Sequence, residues 1–327
     1  MIKIAIDLNG GDKAPRSVID GVKIALEQHD DIEIILYGTK DSYNENIDRV
    51  RFIPVAEKIE STDDPVRAVR RKKDSGMVQA CVAVKDGAAD ACISAGNTGA
   101  LMSAGLFNVG RIKGIERPAI ASMIPSINGK GMLLLDMGAN VDNRPNHLYQ
   151  FAVMADIYMR DIEGRANPSV GLVNIGSEEN KGSELTKEAH KLMKDADFNF
   201  KGNFETRDIL SGDVDIAVTD GFTGNIVLKT LEGTAMGMMT QIKKAMTSSL
   251  KNKVGALLVK SGLQEIKDLL DYRQHGGAPL LGLNGHVLKA HGSSDDVAIS
   301  SAIRQAKRMA KSNAIEKISK KVGTLDE

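Results

Sequence analysis

The sequence predicts an α/β protein with a largely parallel sheet, and three observations lead there. Short apolar runs, each closed by a loop of Gly, Asn, Ser, Thr or Asp and followed by a helix-length stretch, recur along the chain. Strands alternating with helices are joined by crossovers and pair in parallel. Length and composition permit a packed core: 327 residues, 42% hydrophobic and 26% charged, suit two domains or one large lobed one. No fixed-period repeat or low-complexity segment points to another architecture.

The first strand is read at residues 2–6, running into Asp7-Leu8-Asn9-Gly10-Gly11-Asp12. A second, at 91–93, meets Ser94-Ala95-Gly96-Asn97-Thr98-Gly99. Residues 132–135 lead into Asp136-Met137-Gly138-Ala139-Asn140, and 170–174 into Ile175-Gly176-Ser177-Glu178. Residues 214–218 lead into Thr219-Asp220-Gly221-Phe222-Thr223-Gly224-Asn225. Apolar residues at 231, 235, 238, 242, 246 and 250 have helical spacing. The last helix is expected from near Ser294, capped by the cluster Ser293, Ser294, Asp295 and Asp296. Its buried face would be Ala298, Ala302, Ile303, Ala306, Met309 and Ala310. No linker stands out by composition, and the loop 136–145 is the expected crossing between lobes.

Charge and cysteine content exclude several classes. Lys+Arg and Asp+Glu are both 43, so no global basic field exists to hold nucleic acid. Two cysteines without a CxxC argue against a disulfide framework and against a cysteine-ligated zinc. The first residues read as a strand and not as a signal peptide. The longest uncharged run, 91–110, carries too many polar residues and glycines for a membrane span. The expectation is a cytoplasmic protein without transmembrane segments.

The strand-end loops carry the chemistry. Glycine lets backbone N–H groups approach a ligand, and a helix N-terminus adds unpaired N–H groups and positive partial charge. Any one such loop is explained by the needs of a short turn; the set points to a phosphate or oxyanion site. The sequence contains no P-loop, GxGxxG, GxSxG or HExxH motif. An anion site without a covalent nucleophile suits a reaction in which the anion itself attacks. Phosphate is nucleophilic at neutral pH, and a thiol of pKa about 8.5 leaves a thioester readily. Such a reaction needs positioning and charge stabilisation from the protein.

At these loops the chain resembles the phosphate acyltransferases, the acyl-ACP:phosphate transacylases of bacterial phospholipid synthesis. The matching stretches begin with Asp7…Gly10-Gly11-Asp12…Ala14-Pro15, Asp64-Pro65-Val66-Arg67-Ala68-Val69-Arg70-Arg71-Lys72-Lys73 and residues 89–100. They continue through residues 110–115, 135–142, 181–187 and 219–225, and end with Ala290-His291-Gly292-Ser293-Ser294-Asp295. The first loop departs from the family's usual Asp-Ala-Met-Gly-Gly-Asp, with Leu8 and Asn9 in the second and third places. The resemblance implies an isocitrate/isopropylmalate dehydrogenase-like fold, a three-layer α/β/α structure with two lobes around a cleft. It implies acyl transfer from acyl carrier protein to inorganic phosphate, a homodimer and no cofactor. It further implies loose attachment to the inner face of the membrane, beside the glycerol-3-phosphate acyltransferase that uses the acyl phosphate. Rivals on the same fold are an oxidoreductase, disfavoured by the missing cofactor motifs, and a coenzyme A-dependent phosphate acetyltransferase. A membrane-peripheral module that only binds a phosphorylated metabolite is the rival of another class.

Lys181, following a strand, is the candidate to hold phosphate or stabilise the thioester oxyanion; a solvated loop lysine is the alternative. His291 could donate to phosphate or protonate the leaving thiol, or merely bond a neighbouring carbonyl. Asn225 completes the catalytic set. Asn97, Thr98, Gly99, Gly176, Ser177, Thr223, Gly224, Ser293 and Ser294 are expected to bind substrate, with helix capping as the competing role for the polar ones. Asp7, Asp136 and Asp220 end strands and would orient basic groups or tie down loops. Nothing in the spacing demands a metal. Cys92 reads as buried and inert, with an acyl-cysteine as the outside alternative.

Arg67, Arg70 and Arg71 share one side of a predicted helix and suit docking of the acidic carrier protein, although a charge run is more often a solvated face. The methionines Met236, Met238, Met239 and Met246 suit a variable acyl chain, but a stripe at helical spacing is more often core. Residues 247–270 read as a protruding amphipathic segment, with Leu257 and Leu258 touching the membrane or packing at a dimer interface. The lobes are expected at 1–140 with 290–327, and at 141–289. Phosphate is expected between the loops near 96–99, 176–184 and 221–225.

Overall fold

Alternation along the strands sets the layers. In β1 (Ile2–Asp7), Ile4 and Ile6 join one apolar cluster and Ala5 the other; in β6 (Met132–Leu135), Leu133 and Leu135 oppose Met132 and Leu134. Side chains of period two on a strand buried on both faces demand helices on both sides. The computed structural model, which describes residues 1–263 and 276–323, has that three-layer form. One face is covered by α1 (Arg16–Gln28), α5 (Pro145–Asp161), α6 (Glu184–Lys194), α9 (Asp296–Lys311) and α10 (Ala314–Gly323). The other is covered by α2 (Pro65–Arg71), α3 (Gly76–Lys85) and α4 (Thr98–Ala104).

The remaining strands are β2 (Ile32–Thr39), β3 (Val50–Val55), β4 (Ala91–Ser94), β5 (Ala119–Ile124), β7 (Ser169–Asn174), β8 (Asn199–Glu205), β9 (Ile216–Val218), β10 (Ala278–Leu281) and β11 (His286–Lys289). They form one sheet in the order β3-β2-β1-β4-β11-β10-β5-β6-β9-β7-β8. Pairing is parallel except at β11–β10, β10–β5 and β5–β6. These three reversals leave β6, β9, β7 and β8 running opposite to β3, β2, β1, β4 and β11. The loops read from the sequence as one ligand edge therefore fall into two groups. Those after β1, β4 and β11 leave one edge of the sheet, and those after β6, β7 and β9 leave the other. The loop 136–140 belongs with β9 and β7, because β6 pairs with β9.

Helix α7 (Gly221–Thr247) connects the two edges. It starts at the end of β9, lays Val227, Leu228 and Leu231 against the second cluster, and brings Glu232 to the loop after β11. Eleven residues of helix span roughly 16 Å. Past Gly224 none of its residues is buried, so the methionine stripe is not core: Met236 and Met238 are exposed on a helix that has left the body. Helix α8 (Leu250–Leu258) continues outward with Leu250, Val254, Leu257 and Leu258 exposed. The last part of the expected amphipathic segment, 264–270, lies outside the described residues. Among the described residues no helix is long and apolar enough to cross a membrane.

The helix expected from near Ser294 is α9, and its cap comes from within the expected cluster. The cap of α9 is Asp295, whose carboxylate accepts the Ala298 N–H at 3.1 Å, while Ser294 is buried one residue earlier with its N–H on the His291 carbonyl. A carboxylate suits this place because it meets both the unpaired N–H groups and the helix dipole. The chain also does not end with α9, since Ser312 and Asn313 only break it before α10.

Candidate active site

The edge after β6, β7 and β9 is built around a buried carboxylate. Asp136 accepts the N–H groups of Ile120 (3.0 Å), Ala139 (3.0 Å) and Asn140 (2.8 Å), and the Asn140 side-chain amide at 2.9 Å. Burial pushes its pKa up against these bonds. So placed, it ties the 136–140 loop to β5. Helix α7 docks on this loop: the Gly221 N–H donates to the Asn140 carbonyl at 3.0 Å. A Cβ at Gly221 would lie 2.4 Å from that oxygen, and one at Gly224 would lie 1.9 Å from the Asp136 carbonyl oxygen. Glycine is thus required by close approach, beyond any need of a turn. Asp220 caps the helix by accepting the Thr223 N–H at 2.8 Å. The sequence Gly221–Asn225 is consequently the first turn of α7 and not a loop, with Thr223 half-buried and Asn225 exposed beside Gly138.

Lys181 comes from the neighbouring strand β7. Asn174 at that strand's end donates to the Lys181 carbonyl (3.1 Å) and accepts the Ile175 N–H (2.9 Å), fixing the turn. Gly182, at φ +94°, leaves no room for a Cβ against Asn174 and Thr186. The Lys181 ammonium is half-exposed and lies 3.9 Å from the Glu178 carboxylate. Gly176 is buried under that lysine, and Ser177 is exposed.

The other edge has a second polar cluster. Ser94 donates to the buried Asp7 carboxylate at 2.7 Å and accepts the Gly96 N–H at 3.0 Å. Burial raises Asp7 from its ordinary 3.8 to about 6, although the Ser94 bond and Lys289 oppose the rise. Lys289 ends β11 with its ammonium buried, donating to the carbonyls of Ala95 (3.3 Å) and Ala290. Burial lowers it to about 8 against the pull of Asp12 and Asp7. His291 Nδ1 accepts the Ser293 N–H at 3.2 Å, which leaves the proton on Nε2, 4.0 Å from Glu232 of α7. Burial pushes this imidazole down, and Glu232 partly restores it.

The expected site residues therefore do not form one constellation. Lys181, Asn225, Thr223, Gly224, Gly176, Ser177, Asp136 and Asp220 share one edge. His291, Ser293, Ser294, Asp7, Asn97, Thr98 and Gly99 lie at the other, so the stretches 96–99 and 221–225 leave opposite edges of the sheet. Glu232, beside His291, is seven residues from Asn225, roughly 10 Å along the helix. Asn97 is fully employed: it caps α4 through the Ala100 N–H at 3.0 Å, and its amide donates to the Ser61 and Asp63 carbonyls. Gly99 is required by packing, since a Cβ there would meet Pro65 at 2.8 Å, and Thr98 is exposed. Cys92 is buried 3.8 Å from Cys81, and the hydrogen bond to Cys81 and burial hold its thiol well above the ordinary range, in keeping with a buried, unreactive cysteine. Sequence reasoning missed Lys289, Ser94 and Asn140. The lone lysine in the apolar run Val287-Leu288-Lys289-Ala290 was the available signal. Arg67, Arg70 and Arg71 are exposed on α2, and Arg70 lies over the Phe107 ring at 5.3 Å. The helix ends at Arg71; Lys72 turns back to Asp63 at 2.6 Å.

A family model described as "Fatty acid synthesis protein" matches residues 2–317. A phosphate acyltransferase of Lysinibacillus sphaericus is 52% identical over 324 residues, covering 98% of each chain. The chain belongs to this family. Solved structures share the family's fold at low identity. A phosphotransacetylase from Streptococcus pyogenes matches with a TM-score of 0.61 at 16% identity, over 94% of each chain. A 4-hydroxythreonine-4-phosphate dehydrogenase from Klebsiella pneumoniae matches with a TM-score of 0.53 at 12% identity, over 95% of this chain and 98% of its own. The dehydrogenase-like α/β fold expected from the resemblance is the fold found.

Proposed function

We propose that this protein transfers a fatty acyl group from an acyl carrier protein thioester to inorganic phosphate, giving an acyl phosphate for phospholipid synthesis. One observation carries the reading. The first turn of α7 is held rigidly on the Asp136–Asn140 loop, with the half-buried Thr223 and the exposed Asn225 on it, and the half-exposed Lys181 follows β7, the strand paired with β9. Donors and a cation are gathered there without an activated nucleophile, which suits attack by phosphate itself.

In this reading a phosphate oxygen attacks the thioester carbonyl carbon. The carbonyl oxygen becomes an oxyanion, stabilised by Lys181 and the Asn225 amide. Collapse breaks the C–S bond, the thiolate leaves, and the proton lost by hydrogen phosphate ends on the thiol. His291 lies at the far edge, so we place it with the carrier-bound arm and not at the carbonyl. Arg67, Arg70 and Arg71 serve the acidic carrier protein, and the exposed Leu257 and Leu258 of α8 serve a membrane surface or a second copy in a homodimer. Membrane contact at the inner face would deliver acyl phosphate directly to a glycerol-3-phosphate acyltransferase. We further infer that the lobes meet along the antiparallel β10–β11 pair, where the sheet first reverses, and not at residue 140.

The test is phosphate-dependent formation of acyl phosphate from purified acyl carrier protein thioester, trapped as the hydroxamate, with a coenzyme A thioester and Lys181→Ala alongside. Phosphate-dependent product from the carrier thioester supports the reading, and loss of at least about tenfold in the variant supports Lys181. No product from folded protein with either donor ends it.

A further inference from the structure

Four large apolar side chains stand exposed around the edge that carries Lys181 and Asn225: Val141 (67%), Ile175 (82%), Phe222 (60%) and Ile226 (50%). Each follows the carboxyl end of one of three strands adjacent in the sheet, β6, β9 and β7. The backbone brings them together. Asn140 and Gly221 are in contact through the 3.0 Å hydrogen bond, and Val141 and Phe222 are the next residues on each side. Leu172 of β7 pairs with Val218 of β9, so the chain leaves these two neighbouring strands at the same edge, into Ile175 on one and toward Phe222 on the other. Ile226 lies one turn beyond Phe222 on the same side of α7, and Thr223 and Asn225 come between them.

Single exposed apolar residues are ordinary. Four converging on one polar site leave apolar area in water and mark a surface that is covered in use. Whatever covers them must be apolar and must begin where the anion is held. An acyl chain meets both conditions, because its carbonyl carbon has to lie against the attacking phosphate and its tail starts at that atom.

We propose that Val141, Ile175, Phe222 and Ile226 seat the first part of the acyl chain and set the enzyme's chain-length preference. The proposal rests on the acyl-transfer reading above and assigns residues to the acyl half of its substrate. Each buried methylene contributes roughly fourfold in kcat/KM, so the four side chains together govern the preference for long chains over short. They touch the chain and not the reacting atoms, and act as specificity residues.

The experiment compares kcat/KM for palmitoyl and butyryl carrier protein thioesters in the wild type, in Phe222→Ser with Ile226→Ser, and in Ile175→Ser. All three positions are exposed, so folding is not at stake, and sedimentation of each variant is measured in parallel. The palmitoyl-to-butyryl ratio is expected to fall at least about tenfold in the double variant and several-fold in Ile175→Ser. An equal loss with both substrates, leaving the ratio intact, overturns the proposal; so does an intact ratio with an altered sedimentation, which would give these side chains to a second copy of the chain. Absence of acyl phosphate from the wild type with either thioester would instead refute the acyl-transfer reading.

Discussion

Substituting Gly224 by alanine places a Cβ where the structure has backbone. The added carbon would stand 1.9 Å from the Asp136 carbonyl oxygen, about 1 Å inside the closest approach that such atoms make. No side-chain rotation relieves the contact, because the obstacle belongs to a loop held by four hydrogen bonds to the Asp136 carboxylate. The first turn of α7 has to move outward by about that amount. Overpacking of this kind costs about 1–3 kcal/mol, and rigid backbone on one side puts Gly224→Ala at the upper end. A displacement of about 1 Å at a positioning element costs roughly a hundredfold in rate, so kcat should fall by about that factor. Gly233→Ala on the same helix is the internal control. Its Cβ meets nothing within 4 Å, and replacing a helical glycine by alanine should stabilise the protein by about 0.5–1 kcal/mol without loss of turnover. Urea unfolding gives the stability and hydroxamate trapping gives the rate. Wild-type stability and turnover in Gly224→Ala would refute the idea that the docked first turn of α7 forms the site.

Three further outcomes follow from the structure. Asp7 is raised from 3.8 to about 6 by burial, so the folded protein binds more protons than the unfolded chain across that window and loses stability as pH rises through it. By about pH 7 the cost approaches 3 kcal/mol, and Asp7→Asn, which can still accept from Ser94, should be more stable than wild type at pH 7.5 by far more than at pH 4; equal urea midpoint differences at both would contradict the assignment. Neutralising Arg67, Arg70 and Arg71 together should raise KM for the carrier thioester about tenfold and flatten its salt dependence, with KM for phosphate as the control. Leu257→Glu with Leu258→Glu should abolish flotation with anionic lipid vesicles while the unfolding midpoint stays at the wild-type value, both side chains being exposed; vesicle binding at the wild-type level would remove the membrane role.

The strands β1, β4, β6, β7 and β9 could be placed within about two residues, because each is a short apolar run cut off by a polar, glycine-bearing loop. Such a signal is local and survives in a single sequence. The direction of a strand in the sheet is not local. Nothing in Met132-Leu133-Leu134-Leu135 states that it pairs antiparallel with β5, and that pairing carries β6, β9 and β7 to the opposite edge from β1 and β4. Loops of similar composition therefore read as one ligand edge, whereas the fold sends them to two. The first turn of α7 was hidden for a related reason: two glycines suggested a loop, yet both are demanded by contact with Asp136 and Asn140, more than eighty residues earlier. Lys289 was hidden because its burial depends on β11 lying between β4 and β10.

These differences have one physical source, the reversal of direction within the sheet. A helix that leaves one strand edge, crosses a sheet face and meets the other edge joins two polar centres at a fixed separation of roughly 16 Å. A small substrate would need only one of them. In the proposed acyl transfer, an acyl group carried on a long arm would have two ends to hold: the reacting carbonyl, with its apolar tail, at the start of α7, and the arm beyond it, toward Glu232 and His291, which lie 4.0 Å apart. The reversal of sheet direction is what makes both ends available on a single helix.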